Sequence, residues 1–213
     1  MAANTNTLFP NDTEMYRNNI VSFMSVLEFA KNNNIKLVYA SSASVFGNKG
    51  KPLNAYSHSK LICDEIAEKH FNVMSIVGLR FFNVYGKNEI HKGEMASMIT
   101  RWSEQIRNGD RPLAFRNGTA LRDHIYVKDV IKAMKVAEQK ENGIYDVGIG
   151  TPETFDTVLR LVQETLQTEY EPILFDNPHF ETYQMFTKAQ LGWGFVPDYS
   201  LKNGIKDYLM EEK

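Results

Sequence analysis

At 213 residues and 43% hydrophobic, the chain is long enough for a sizeable core and falls between one domain and two. A formal net charge of −2 excludes the basic footprint of a nucleic-acid binder, and no apolar run approaches a membrane span. The single cysteine, Cys63, cannot form an internal disulfide, and the N-terminus lacks a basic region followed by an apolar core, so the composition reads as a soluble cytoplasmic protein.

The coarse layout follows from periodicity. Thr13 to Asn33 reads as a long helix capped by Asp12 or Thr13, with Ile20, Phe23, Met24 and Leu27 as its apolar set. A buried parallel strand is expected from Lys36 to Ala40, because a short apolar run there ends in small residues. A helix carrying Tyr56 follows, with Asn54 as its cap, and then a strand from Val73 to Leu79. This αβαβ alternation is half of a doubly wound sheet. Further helices are expected over Met95 to Arg107, Asp129 to Gln139, Thr154 to Gln167 and Ser200 to Glu211, the last capped by Ser200. Ile144 to Val147 and Pro172 to Phe175 read as extended, and Cys63 reads as a small buried hydrophobe on the Tyr56 helix.

One stretch carries chemistry. Ser41-Ser42-Ala43-Ser44-Val45-Phe46-Gly47 closes the first strand, and Tyr56-Ser57-His58-Ser59-Lys60 opens the next helix. Residues four apart share a helix face, so the Lys60 ammonium can sit near the Tyr56 phenol and lower a pKa that is ordinarily about 10. Tyr56 then becomes a usable general base, and Ser42 would hold a substrate hydroxyl and steer its proton toward Tyr56. The parts suit removal of a proton from a sugar hydroxyl while a nicotinamide takes the hydride.

With Arg80-Phe81-Phe82-Asn83-Val84-Tyr85-Gly86 and Arg122-Asp123-x-Ile125-x-Val127-x-Asp129-Val130, these segments form an ordered set of four motifs. The set resembles the extended short-chain dehydrogenases acting on nucleotide sugars, the NAD-dependent epimerase/dehydratase family. Within that family, His91-Lys92-Gly93-x-Met95-Ala96-Ser97 and Tyr183-Gln184-x-Phe186-Thr187-x-Ala189 are similar to the 6-epimerases of ADP-glycero-manno-heptose. The resemblance covers essentially the whole chain.

It implies an α/β fold: a partial Rossmann-like doubly wound parallel sheet with a small C-terminal α/β substrate domain. Residues 1–86 would be the later part of the dinucleotide-binding domain, and residues 87–213 mostly the nucleotide-sugar domain, with some segments returning to the sheet. The implied activity is epimerisation through a transient keto or aldehyde intermediate, with bound NADP, NAD not being excluded. Ser42, Tyr56, Lys60 and Lys92 would be catalytic, Lys92 as a second acid/base. Ala2, Ala3, Asn4, Thr5, Asn19, Tyr56, Lys60, Val84 and Lys92 would line the cofactor. Ser42, Asn83, Glu94, Arg101, Phe115, Arg122 and Tyr183 would meet a nucleotide-diphosphate sugar, Arg122 through the bidentate fork that suits phosphate. No metal, nucleic-acid or membrane partner is expected, and the full-length protein is expected to be a homo-oligomer.

Departures from the family pattern cluster on the sugar side. Glu94 replaces a small polar or basic residue, Arg101 stands where a His can occur, and Phe115-Arg116-Asn117-Gly118-Thr119 differs from the acidic family segment. A 4-epimerase or dehydratase of another nucleotide sugar is the nearest alternative, though Ser42-Ala43-Ser44 lacks the Asp-Glu pair a dehydratase needs. A non-catalytic nucleotide-sugar-binding chain is the alternative from another class. The family's opening strand and Gly-rich turn, which receive the cofactor pyrophosphate, have no counterpart here. Gly148-Ile149-Gly150 reads as a turn leading into a helix rather than as a phosphate cradle. The segment is therefore expected to be supplied by a longer chain or another chain, and this chain alone to be aggregation-prone through an uncovered strand edge.

Overall fold

The N-terminal helical segment is interrupted once. In the computed structural model, α1 (Asp12–Tyr16) runs through a π-helical turn at Arg17–Val21 into α2 (Ser22–Asn32). The structure describes residues 3–48, 50–116, 118, 120–176 and 186–210. The cap is Asn11, not Asp12 or Thr13: its side chain accepts from the Glu14 amide at 3.0 Å, while Asp12 and Glu14 occupy the first turn, where their charge favours the helix dipole. Phe23 and Leu27 are buried as expected, but Met24 faces out.

Strand β1 (Leu37–Ser42) follows, then a 3-10 turn at Ala43–Phe46 and helix α3 (Ala55–Lys69), capped as expected by Asn54, which accepts from the Ser57 amide at 2.9 Å. Strand β2 (Ile76–Phe81) starts later than the apolar run suggests, because Val73 lies exposed in the turn before it. The short strand β3 (Asn83–Tyr85) leads through a 3-10 segment at Ile90–Met95 to helix α4 (Met98–Arg107), capped by Ser97 rather than begun at Met95. Strands β4 (Leu113–Phe115), β5 (Leu121–Arg122) and β6 (His124–Tyr126) precede helix α5 (Val127–Ala137) and strand β7 (Gly143–Val147). Strand β8 (Glu153–Thr154), helix α6 (Phe155–Leu166), strand β9 (Ile173–Phe175) and helix α7 (Leu201–Met210) complete the order. The Asn203 amide donates to Ser200, as the expected cap requires, and Glu211 lies outside the described residues.

Strands β1, β2 and β7 form a parallel sheet in the order β1-β2-β7, with Ser42 opposite Phe81 and Phe81 opposite Val147. Alternating residues of β2 serve opposite faces, which is why the strand reads as a continuous apolar run. Ile76 joins Phe23, Leu27, Tyr39, Cys63 and Ala67 under α2 and α3. Val77 and Leu79 join Val130, Ala133, Ala137 and Val147 under α5. Gly78 is required between them, since a Cβ there would meet the Tyr39 hydroxyl at 2.5 Å. A separate apolar core gathers Trp102, Tyr126, Phe155, Val162 and Tyr208 from α4, β6, α6 and α7. Among the described residues three two-stranded pairs, β3-β6, β4-β9 and β5-β8, complete the strand pairing.

Candidate active site

Parallel strands leave their ligand crevice at their carboxyl ends, and Ser42 is the last residue of β1. Its hydroxyl receives the Ser44 amide at 3.2 Å and the Ser44 hydroxyl at 2.9 Å, and it favours the ionised form of the Tyr56 phenol. Asn54 starts α3 just ahead of Tyr56, and one turn later Lys60 reaches back to the sheet, donating to the Ala40 carbonyl at 2.9 Å. Its ammonium lies 6.0 Å from the centre of the Tyr56 ring. The helix is fixed to the sheet one turn further on: Asp64 accepts from the Tyr39 hydroxyl at 2.8 Å and from Arg80 at 2.9 Å.

The electrostatics differ from the sequence expectation. Burial pushes the Tyr56 phenol above its ordinary range, and the Ser42 hydrogen bond opposes that push. Burial also pushes the Lys60 ammonium below the usual lysine range, against the nearby Cys63 and Asp64. Burial thus dominates at both groups, raising the phenol and lowering the ammonium, while the ammonium donates to the Ala40 carbonyl.

Asn19 shows what the π-turn is for. Such turns re-aim one side chain inward, and here the carboxamide accepts from the Asn4 amide at 2.8 Å and donates to the Asn4 carbonyl at 3.0 Å. It also donates to Ser59 at 2.9 Å, so the Ala3-Asn4-Thr5 segment is tied to the helix that carries Tyr56. Ala2 lies outside the described residues.

On the substrate side, Asn83 begins β3 and pairs in register with His124 of β6, its amide donating to the Asp123 carbonyl at 3.1 Å. Arg122 is buried, with its guanidinium 5.9 Å from the centre of the Phe155 ring, and Phe115 packs on the same ring at 6.2 Å. Asn83 thus meets the residue that follows Arg122, and Arg122 and Phe115 meet on the Phe155 ring. Val84 packs partly into the core beneath the sheet. Lys92 is half-exposed on the 3-10 segment and pairs with Glu89 at 3.7 Å. Glu94 is exposed, and its carbonyl receives Arg101 at 3.5 Å. Tyr183 and Gln184 lie outside the described residues.

The sequence reading gives no role to several residues that organise this edge, although Asp123 and Asp129 stand in the Arg122 to Val130 motif. Asp123, fully buried, accepts from the amides of Ile149, Gly150 and Ala189 at 2.8, 2.8 and 2.9 Å. The Gly148-Ile149-Gly150 turn is therefore a cradle for the chain's own carboxylate, as its reading as a turn requires, and Gly148 is needed because a Cβ would meet Asp123 at 2.9 Å. Asp129 accepts from the amides of Asp198 and Tyr199 at 2.8 and 3.1 Å. Glu89 accepts from the Ser97 amide at 3.0 Å and from the Ser97 and Thr100 hydroxyls at 2.6 Å each, bracing the Lys92 segment against α4. Among the described residues no group of three or more His, Cys, Asp or Glu is placed to hold a metal ion, and no helix is long and apolar enough to cross a membrane.

A family model described as NAD dependent epimerase/dehydratase matches residues 3–148, from the Asn4 segment through the sheet to the Asp123 cradle. The chain belongs to that family. An ADP-L-glycero-D-manno-heptose-6-epimerase of Brachyspira hyodysenteriae is 32% identical over 96% of this chain and 71% of that protein. The solved ADP-L-glycero-D-manno-heptose-6-epimerase of Helicobacter pylori superposes with a TM-score of 0.89 at 32% identity, covering 99% of this chain and 70% of that one. A UDP-N-acetylglucosamine 4-epimerase from Methanobrevibacter ruminantium superposes equally, TM-score 0.89, at 24% identity over 99% of this chain and 74% of that one, and so shares the fold. As a member of the family, the chain is that of a nicotinamide-dependent epimerase-type enzyme with a Rossmann-like α/β sheet.

Proposed function

We propose that this member of the epimerase/dehydratase family inverts C6 of ADP-glycero-manno-heptose. The observation that carries the reading is the Ser42-Tyr56-Lys60 group at the carboxyl end of β1, held in a chain 32% identical to heptose 6-epimerases over nearly its whole length. Bound NADP would supply the hydride acceptor and donor. Tyr56 takes the proton of the C6 hydroxyl as the C6–H hydride departs, which leaves a C6 carbonyl; Ser42 holds that oxygen through the same hydroxyl that contacts Tyr56. With hydride returned to the other face, Tyr56 or Lys92 would return a proton to the oxygen and give a secondary alcohol of inverted configuration. Lys92 serves as the second acid/base for the re-presented carbonyl.

Lys60 and Tyr56, with the Ala3-Asn4-Thr5 segment that Asn19 fixes, would hold the dinucleotide. In the same reading, residues 1–86 complete the dinucleotide-binding part and residues 87–213 carry most of the sugar site, with Asn83, Arg122, Phe115 and Tyr183 toward the nucleotide sugar and Glu94 and Arg101 toward its rim. The exposed apolar residues Val21, Met24 and Phe29 of the first helical segment support self-association of the protein.

The test is incubation of the full chain with ADP-glycero-manno-heptose and either NADP or NAD, with C6 configuration followed by proton NMR. Inversion that is lost in Tyr56→Phe supports the proposal. Turnover of a UDP-hexose without turnover of the heptose would make the protein a 4-epimerase instead, and tight nucleotide-sugar binding without turnover of either would make it a binding protein.

A further inference from the structure

Among the described residues the side chains of Ser41, His124 and Thr168 carry buried polar atoms without a hydrogen-bond partner, and His124 alone of the three has two such atoms. It is 2% exposed, and neither ring nitrogen has a hydrogen-bond partner. Buried polar atoms are nearly always paired, so an unpaired one requires a reason. Packing alone supplies none: the ring meets Tyr85 and Phe155 edge-on at 6.5 and 6.3 Å between centres, contacts that a phenyl ring makes without leaving polar atoms unpaired.

Its position supplies one. His124 pairs in register with Asn83, two residues after Arg122, and the Arg122 guanidinium and the His124 ring flank the same Phe155 side chain. Burial, and secondarily the charge of Arg122, hold the imidazole neutral, its pKa lowered to about 3. A neutral ring keeps one N–H donor and one acceptor nitrogen. Beside an arginine, that donor is suited to a phosphate oxygen, because it adds a directed hydrogen bond without adding a second buried cation that Arg122 would repel.

We propose that His124 is a substrate-binding residue that donates a ring N–H to a phosphate oxygen of a nucleoside diphosphate held by Arg122. The inference rests on the reading of this edge as a nucleotide-sugar site and adds a contact to it.

The chain contains five histidines, so selective ¹⁵N labelling of the imidazoles gives a countable spectrum. The full chain is titrated with ADP, with inorganic pyrophosphate and with adenosine, and the His124 signals are identified by their loss in His124→Phe. The expected result is a shift of one His124 ring nitrogen with ADP and with pyrophosphate and none with adenosine, together with an affinity for ADP about 10-fold weaker in His124→Phe. An unshifted His124 in protein that binds ADP through Arg122, shown by loss of binding in Arg122→Ala, overturns the inference and leaves the site reading intact. ADP affinity that neither His124→Phe nor Arg122→Ala changes overturns both. If His124→Phe does not fold, the wild-type shifts decide, with His124→Gln as the affinity control.

Discussion

Asn19 holds the backbone of Asn4 at both ends, accepting from its amide at 2.8 Å and donating to its carbonyl at 3.0 Å. The same carboxamide donates to Ser59 on the helix that carries Tyr56, so one side chain couples the loop before α1 to the catalytic helix. In Asn19→Ala all three partners lose it within a buried site. The expected cost is about 1–3 kcal/mol, read from urea unfolding. Faster proteolysis near residues 3–8 is expected to accompany it. Unchanged stability and unchanged proteolysis would mean that water replaces the clamp at no cost.

Ser42 and Tyr56 form a second coupled pair. Burial raises the Tyr56 pKa and the Ser42 hydroxyl opposes it. Removal of that hydroxyl in Ser42→Ala leaves burial unopposed, so the basic form of Tyr56 becomes available only at higher pH. The acid limb of the pH–rate profile is expected to move toward alkaline pH in Ser42→Ala. Tyr56→Phe is expected to lose activity by about 10²–10⁴-fold at every pH. A Ser42→Ala profile that keeps the wild-type limb would show that the hydroxyl only positions substrate.

Asp123 is the point where Arg122, Asn83 and the Gly148-Ile149-Gly150 turn converge. Three backbone amides donate to its two carboxylate oxygens, and its own amide donates to Thr187 at 2.9 Å. Asp123→Asn replaces one acceptor oxygen with a donor that faces donors. The expected destabilisation is about 2–3 kcal/mol, with reduced nucleotide affinity because Arg122 loses its anchored neighbour. A variant with full stability that still fails to bind nucleotide would place Asp123 in ligand contact rather than in support of the edge.

What the sequence conveys and what it hides divide along physical lines. The parallel strands β1 and β2 are legible because both faces are buried and their apolar runs are continuous, and the Asn54 cap is legible because capping is a local hydrogen bond. The strand limits slip where an apolar residue sits in a turn, as Val73 does. The Ser42, Tyr56 and Lys60 group is legible through its spacing. The roles of Asp123, Asp129 and Glu89 are not, although the first two stand in the Arg122 to Val130 motif, because each carboxylate binds backbone amides or hydroxyls, Asp123 and Asp129 doing so across 26 to 70 residues of chain. A backbone partner leaves no residue-type pattern to read. The π-turn that aims Asn19 inward is hidden for the same reason: Arg17 to Val21 is an ordinary helical sequence, and only the tertiary bonds of Asn19 show the extra residue in the turn.

His124 sets a pH dependence of folding with a definite sign. In the folded chain its pKa is lowered to about 3, by burial first and by Arg122 second, whereas an unfolded histidine titrates near 6.5. Above about pH 6.5 both states hold it neutral and it contributes no slope. As pH falls through the window from about 6.5 to about 3, the unfolded chain takes up a proton that the folded chain cannot, so stability is lost. For this one group the loss approaches about 1.4 kcal/mol per pH unit. His124→Phe removes the proton from the unfolded state and the two unpaired nitrogens from the folded one. Urea midpoints measured between pH 7 and pH 4 are therefore expected to fall less steeply in His124→Phe than in the wild type, by about one proton's worth of slope. The variant is also expected to match or exceed wild-type stability at pH 7 when no nucleotide is present. Equal slopes in the two proteins would mean that His124 is protonated in the folded chain, and the neutral donor proposed for phosphate binding would fall with that result.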